Sequence, residues 1–367
     1  MKINIYLHIG LHKTGTKYLQ HYIFSYLHKN KVFLYNPPIL TQYLMDYLKA
    51  DKHDRKRIYE YLIKEKYNLM KNNPDSTIFI SREIMSGDLF SAYRDWDEYM
   101  TKLYKAMPEA KIIMFLRYQP DWLVSCYRES IHEHHYQTFT EFISYNKKKK
   151  LFEMPSSKRN TNGYAQLYAL NLDYSKMINK LYHLYKKENV SIYFHEDLIK
   201  DKEKTIKDIL KSIDVGHVNI PLSSSIPNRG FSVFAINLSI YRTKIFKALG
   251  LSFLIHRPIF FFGEKSIPAG NYNISILNKE KYWSSYFYKD NEEIRSQNYP
   301  NLTFIEKIKR EFTWRFVLKQ RFDKVIYLDW DLGKTVRKIL REEYSNINNR
   351  LSEVVDINRI PLRYFSR

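Results

Sequence analysis

Three sets of residues in this chain have the types and the spacing to do chemistry. The first is Gly10-Leu11-His12-Lys13-Thr14-Gly15-Thr16-Lys17, with two glycines, two threonines and two lysines in eight positions. The apolar, β-branched run Ile3 to Ile9 precedes it and reads as a buried strand. Tyr18, Leu19, Tyr22 and Ile23 follow, an i, i+1, i+4, i+5 stripe that reads as a helix. Strand, glycine turn and helix aim backbone N–H groups and a helix N-terminus at an anion. The nucleotide loop G-x-x-x-x-G-K-[ST] has a lysine directly after its second glycine. Here Thr16 holds that place and the lysine is Lys13. The segment also fits a plain strand–turn–helix with incidental lysines.

The second set is Arg117 and Ser125, eight residues apart across a strand-to-helix turn. A planar guanidinium fork and a hydroxyl near a helix start make a clamp for a single phosphate. An Arg closing its own strand end and a Ser helix cap fit the same spacing. The third set is Ser81-Arg82-Glu83, directly after the apolar run that ends at Ile80. A carboxylate there is placed to take a proton, with Glu83 the first choice of general base and His12 and His132 its competitors. A Glu–Arg surface pair or a helix-start carboxylate is the bland alternative. His132-Glu133-His134-His135 puts two imidazoles on one helical face, but no distant ligand has recognisable spacing, so no metal is expected.

The elements that must carry these residues alternate. Strands are expected at 3–9, 31–35, 76–80, 111–116 and 190–194, and helices at 18–24, within 40–72, at 95–107, from about 120 past Ser125, and at 174–187. Such alternation predicts an α/β fold, a parallel sheet with helices on both faces. Ligands sit at the carboxyl ends of the strands of such sheets, where Lys13, Glu83, Arg117 and Glu196 all fall. Residues 145–163 read as a lysine-rich loop, either solvated or a mobile lid over an anion. After residue 220 the alternation fades, with aromatic and basic residues over 253–330 and a helix again over 333–354. The expected division is a core of 1–220 and a mainly helical C-terminal lobe of 221–367 packed on it.

With 367 residues and 44% hydrophobic content the chain can bury a large core. The formal net charge is +21, divided between 35 basic against 25 acidic residues up to position 220 and 25 against 14 beyond it. The excess is spread along the chain, and it implies a polyanionic partner. No nucleic-acid module is recognisable, so nucleic acid is not expected. The single cysteine, Cys126, excludes an intramolecular disulfide and suits a reducing compartment. Met1-Lys2 leads straight into the first strand with no signal peptide, and the apolar stretch 253–263 is too short to span a bilayer. The expectation is a cytoplasmic protein, with any membrane attachment peripheral and at the inner face.

The form G-x-x-K-x-G-T at Gly10 to Thr16 resembles the 5′-phosphosulfate loop of sulfotransferases that use 3′-phosphoadenosine 5′-phosphosulfate (PAPS). The string from His8 to Thr16, with Leu19-Gln20, is similar to the opening of bacterial carbohydrate sulfotransferases. Lys17 departs from that pattern, which usually has Ser or Thr there. Phe115 to Tyr127 resembles the family's 3′-phosphate motif, which implies that Arg117 and Ser125 bind the 3′-phosphate of PAPS. Leu172-Asp173-Tyr174 and Phe194 to Leu198 look like the family's Tyr-helix and its Glu-Asp-Leu after the last strand. Asn228-Arg229-Gly230 sits where the family has a basic loop over the nucleotide, and Asn346, Asn349 and Leu351 echo its closing helix.

The resemblance implies a P-loop-like sulfotransferase fold and transfer of a sulfuryl group from PAPS to a hydroxyl or amine of a carbohydrate, with an acidic polysaccharide or a glycolipid among the candidates. It assigns Lys13 and Glu83 to catalysis. It assigns His12, Lys13, Thr14, Gly15, Thr16, Lys17, Arg117, Ser125, Tyr174, Arg229 and Gly230 to the co-substrate, Arg82 and His132 to the acceptor, and requires no metal. The rival readings are a kinase or nucleotide hydrolase with an atypical loop, and a non-enzymatic basic protein that binds acidic glycan or lipid.

Overall fold

The computed structural model describes residues 4–74, 76–132, 135–156, 164–216, 218–221, 231–251 and 333–365. Strand β1 (Ile5–Gly10) is buried along its whole length. It leads through the turn into α1 (Thr16–Tyr18), a π-helical stretch Leu19–Phe24 and α2 (Ser25–Lys29). The expected second strand shrinks to β2 (Leu34–Tyr35), because Lys31 takes a left-handed backbone with φ 56° and keeps residues 31–33 in a turn. Two helices follow, α3 (Pro38–Lys49) and α4 (Arg55–Asn72), then β3 (Ile78–Ser81). After Arg82 the chain makes two 3₁₀ turns, Glu83–Ser86 and Leu89–Ser91, parted by Gly87 at φ 102°.

Helix α5 (Trp96–Ala106) returns to β4 (Lys111–Leu116), and α6 (Gln119–His132) leaves it. The short α7 (Phe139–Phe142) opens on a capping box between Thr138 and Glu141. Strands β5 (Tyr145–Asn146) and β6 (Leu151–Phe152) then form a small antiparallel hairpin. Lys147 to Lys150 make its exposed tip, and Lys149 pairs with Glu153. Helix α8 (Tyr174–Tyr185) precedes β7 (Val190–Phe194), which is followed by α9 (His195–Lys200) and α10 (Lys202–Ser212).

The main sheet has the order β2-β3-β1-β4-β7 and every pairing is parallel. Ile5 lies opposite Ile78, and Leu116 opposite Phe194. The inner strands are buried on both faces, which is why they read as continuous apolar runs rather than as alternation. One face carries Ile5, Leu7 and Ile9 into a core shared with α3, α5, α6 and α8; the other carries Tyr6, Phe79 and Phe115 against Phe24, Leu27 and α10. This is the α/β architecture that the alternation predicts.

Of the C-terminal part, α11 (Val233–Ala248) and α12 (Lys334–Asn348) are described; the aromatic and basic stretch 253–330 lies outside the described residues. Leu340, Tyr344 and Leu351 are fully buried in the same core as the strands. Asn348 and Gln119 exchange two side-chain hydrogen bonds of 2.6 and 3.1 Å, which tie α12 to the first residue of α6. Asn348, rather than Asn346 or Asn349, makes that link.

Candidate active site

The turn between β1 and α1 is built on unusual backbone. Gly10, Lys13 and Gly15 have φ of 76°, 66° and 91°. Glycine takes such angles freely, whereas at Lys13 they cost energy that the surroundings must supply. Four contacts supply it. The N–H of Leu11 donates to the Phe115 carbonyl (3.2 Å). Trp122 Nε1 donates to the His12 carbonyl (2.9 Å). The hydroxyl of Tyr93 accepts the His12 N–H at 2.9 Å. Arg117 Nη1 donates to the carbonyl of Lys13 itself, also at 2.9 Å. Within the turn, the Thr14 hydroxyl donates to the Leu11 carbonyl (2.6 Å).

Glu83 stands against this turn. An added Cβ on Gly10 would touch the Glu83 Cα and Cγ at 3.5 Å and the Thr16 hydroxyl at 3.4 Å, so Glu83 lies directly against the turn. Desolvation pushes the Glu83 carboxyl above the usual range; Lys17, Lys13 and a hydrogen bond from Thr16 pull it back, and Glu129 adds to the rise. A carboxylate raised by burial while two ammonium groups face it is the environment expected of a general base. His12 is driven the other way: loss of solvation brings it down to about 4. Its Nδ1 lies 3.2 Å from the Tyr93 hydroxyl.

The sheet thus brings Lys13, Thr16, Lys17, Glu83 and Arg117 to one edge. Arg117 follows the last residue of β4 and is half-buried. Ser125 is not at the helix start, because α6 begins at Gln119 and places Ser125 in its second turn. Tyr174 is fully buried and its hydroxyl donates to the Arg117 carbonyl (2.5 Å). Its contact is therefore with the backbone of the clamp and not with the open edge. Glu196 likewise braces the loop after β4: its carboxylate accepts the Tyr118 N–H (2.8 Å) and the Tyr364 hydroxyl (3.2 Å).

Other expected residues fall elsewhere. Arg82 is half-buried, and its charge lowers the pKa of Tyr35 on the edge strand, which burial raises. His132 is the last residue of α6, with its side chain outside the described residues, and Arg229 and Gly230 lie outside them altogether. His135 Nδ1 accepts the Ala165 N–H (3.2 Å). Among the described residues no group of three His, Cys, Asp or Glu side chains is placed to hold a metal, and no helix is long and apolar enough to cross a membrane.

Three site residues escape sequence reasoning. Tyr93 and Trp122 brace the turn from the core side; taken singly in the sequence they look like packing aromatics. Glu129 makes an ion pair with Lys13, Nζ to Oε2 at 3.1 Å. Its signal is positional: four residues after Ser125, one helical turn along the same face.

Comparison with protein-family models and with curated proteins finds no match. Among solved structures the chain is similar to a sulfotransferase from Alicyclobacillus acidocaldarius, with 18% identity, a TM-score of 0.41, and 70% of this chain and 97% of that one covered. It is also similar to the sulfotransferase domain from the curacin biosynthetic pathway, with 10% identity, a TM-score of 0.30, and 61% of this chain and 76% of that one covered.

Proposed function

We propose that this protein is a sulfotransferase that moves a sulfuryl group from PAPS to a hydroxyl, or amine, of a carbohydrate acceptor. The observation that carries the reading is the bond from Arg117 to the Lys13 carbonyl. It joins the two candidate anion-binding constellations, one suited to a 5′-phosphosulfate and the other to a 3′-phosphate, which supports reading them as parts of one site.

Sulfuryl transfer, like phosphoryl transfer, needs alignment and charge stabilisation rather than a covalent enzyme group. The N–H groups at the start of α1 and the Thr16 hydroxyl hold the 5′-phosphate. Lys13 neutralises charge on the bridging oxygen as the S–O bond to the donor breaks. Glu83 takes the acceptor proton as the new S–O bond, or S–N bond with an amine, forms, and adenosine 3′,5′-bisphosphate leaves. Arg117 and Ser125 select a nucleotide carrying a 3′-phosphate. The net charge of +21 fits an anionic glycan brought to this edge.

The test is transfer of radiolabelled sulfur from PAPS to a panel of neutral and acidic saccharides, with a glycolipid and a protein acceptor included. Label on a saccharide is expected. Label on none of them, from a folded protein that melts higher with PAPS, contradicts the carbohydrate assignment; no stabilisation by PAPS contradicts the donor as well.

A further inference from the structure

Glu129 belongs to none of the three constellations, yet its carboxylate holds the side chain on which the transfer turns. The ammonium of Lys13 is 3.1 Å from Glu129 Oε2, and the two side chains are only 26% and 27% exposed. Glu129 lies one turn beyond Ser125 on α6, so it shares the face that meets the 3′-phosphate in the reading above. An acid beside a site for two phosphates is a handicap for binding, because like charges oppose each other. An ion pair still open to solvent also adds little to stability. What the pair does accomplish is to fix the end of a flexible four-carbon side chain. The Lys13 backbone is already set by the left-handed turn and by Arg117 on its carbonyl. Its side chain is the remaining loose part, and Glu129 holds it by one of three N–H groups, leaving two for donor oxygens.

Resting on the sulfotransferase reading, we propose that Glu129 is a positioning residue for Lys13: it aims the ammonium at the bridging oxygen and gives up part of the donor affinity for that alignment. Glu129→Gln keeps the shape and removes the charge, so its two effects go in opposite directions. Affinity for adenosine 3′,5′-bisphosphate, read by calorimetry, should rise roughly three- to tenfold, with a matching fall in KM for PAPS, as a like charge still open to solvent is removed. The value of kcat should fall about tenfold or more as the lysine loses its aim. Glu129→Asp, which restores the charge on a shorter stem, should recover part of kcat. A merely structural role would lower the melting temperature and weaken both parameters together. The inference is overturned by any result in which kcat does not fall while affinity rises. Failure of the underlying reading looks different: the wild-type protein would then neither bind the bisphosphate nor transfer sulfur, and the role of Glu129 falls with it.

Discussion

Lys13 lies in the turn and Glu83 stands against it, and substitutions separate their proposed roles. Lys13→Ala removes one charge-stabilising donor and should lower kcat by about 10²-fold or more, with a smaller loss of nucleotide affinity. Initial rates against PAPS concentration check it. Glu83→Gln keeps the shape but cannot accept a proton, so turnover should fall roughly 10²–10⁴-fold while PAPS binding stays near wild type. The pH dependence follows from the direction of the Glu83 shift. A base works when deprotonated, so the rate should rise with pH through a value above the ordinary carboxylate range, and Glu129→Gln should move that limb to lower pH by removing one raising charge.

The same shift makes a stability statement. A carboxyl raised in the folded state favours folding when protonated, and that contribution is lost as pH rises through the folded value. Glu83→Gln should therefore melt at or above the wild-type temperature at neutral pH, with the gap closing as the pH falls below the carboxylate range. A variant that is inactive yet no less stable is what a functional, rather than architectural, acid gives.

At the scale of the element, the turn and its braces carry the strain. An added Cβ at Gly15 would lie 2.9 Å from Leu198 Cδ2, on backbone at φ 91°. Gly15→Ala should cost about 1–3 kcal/mol, by denaturant titration, and weaken nucleotide binding, because the left-handed backbone is strained with a Cβ and the Leu198 side chain must give way. Asn348→Ala should cost a similar ~1–3 kcal/mol by leaving the buried Gln119 amide unpaired at the start of α6.

The strands and the turn were legible in the sequence because an apolar run has one reading in a sheet covered on both faces, and because Gly10 and Gly15 mark the positive φ angles. The left-handed Lys13 was not legible, since nothing local marks a lysine for that region; tertiary bonds from Arg117, Trp122 and Tyr93 impose it. Ser125 was placed near a helix start because Pro120 suggests a start, and α6 does begin there, one residue earlier, but that leaves the serine a turn further in. Glu129 carries only the positional signal of lying one turn after Ser125, and its pairing with Lys13 was not legible because that partner lies 116 residues away.

Over the whole molecule, positive charge exceeds negative in both halves, which favours an anionic acceptor in the proposed reaction. With an acidic glycan as acceptor, KM for the acceptor should rise steeply with ionic strength while KM for a neutral saccharide hardly moves. The central claim, a nucleotide site that demands a 3′-phosphate, is tested most directly by calorimetric titration of the wild-type protein and Arg117→Ala with adenosine 3′,5′-bisphosphate and with adenosine 5′-monophosphate. The wild type should favour the bisphosphate by about tenfold or more, the scale of a charged hydrogen bond, and Arg117→Ala should erase that preference. Equal affinity of the wild type for the two nucleotides, or a preference that survives in Arg117→Ala, would contradict the account.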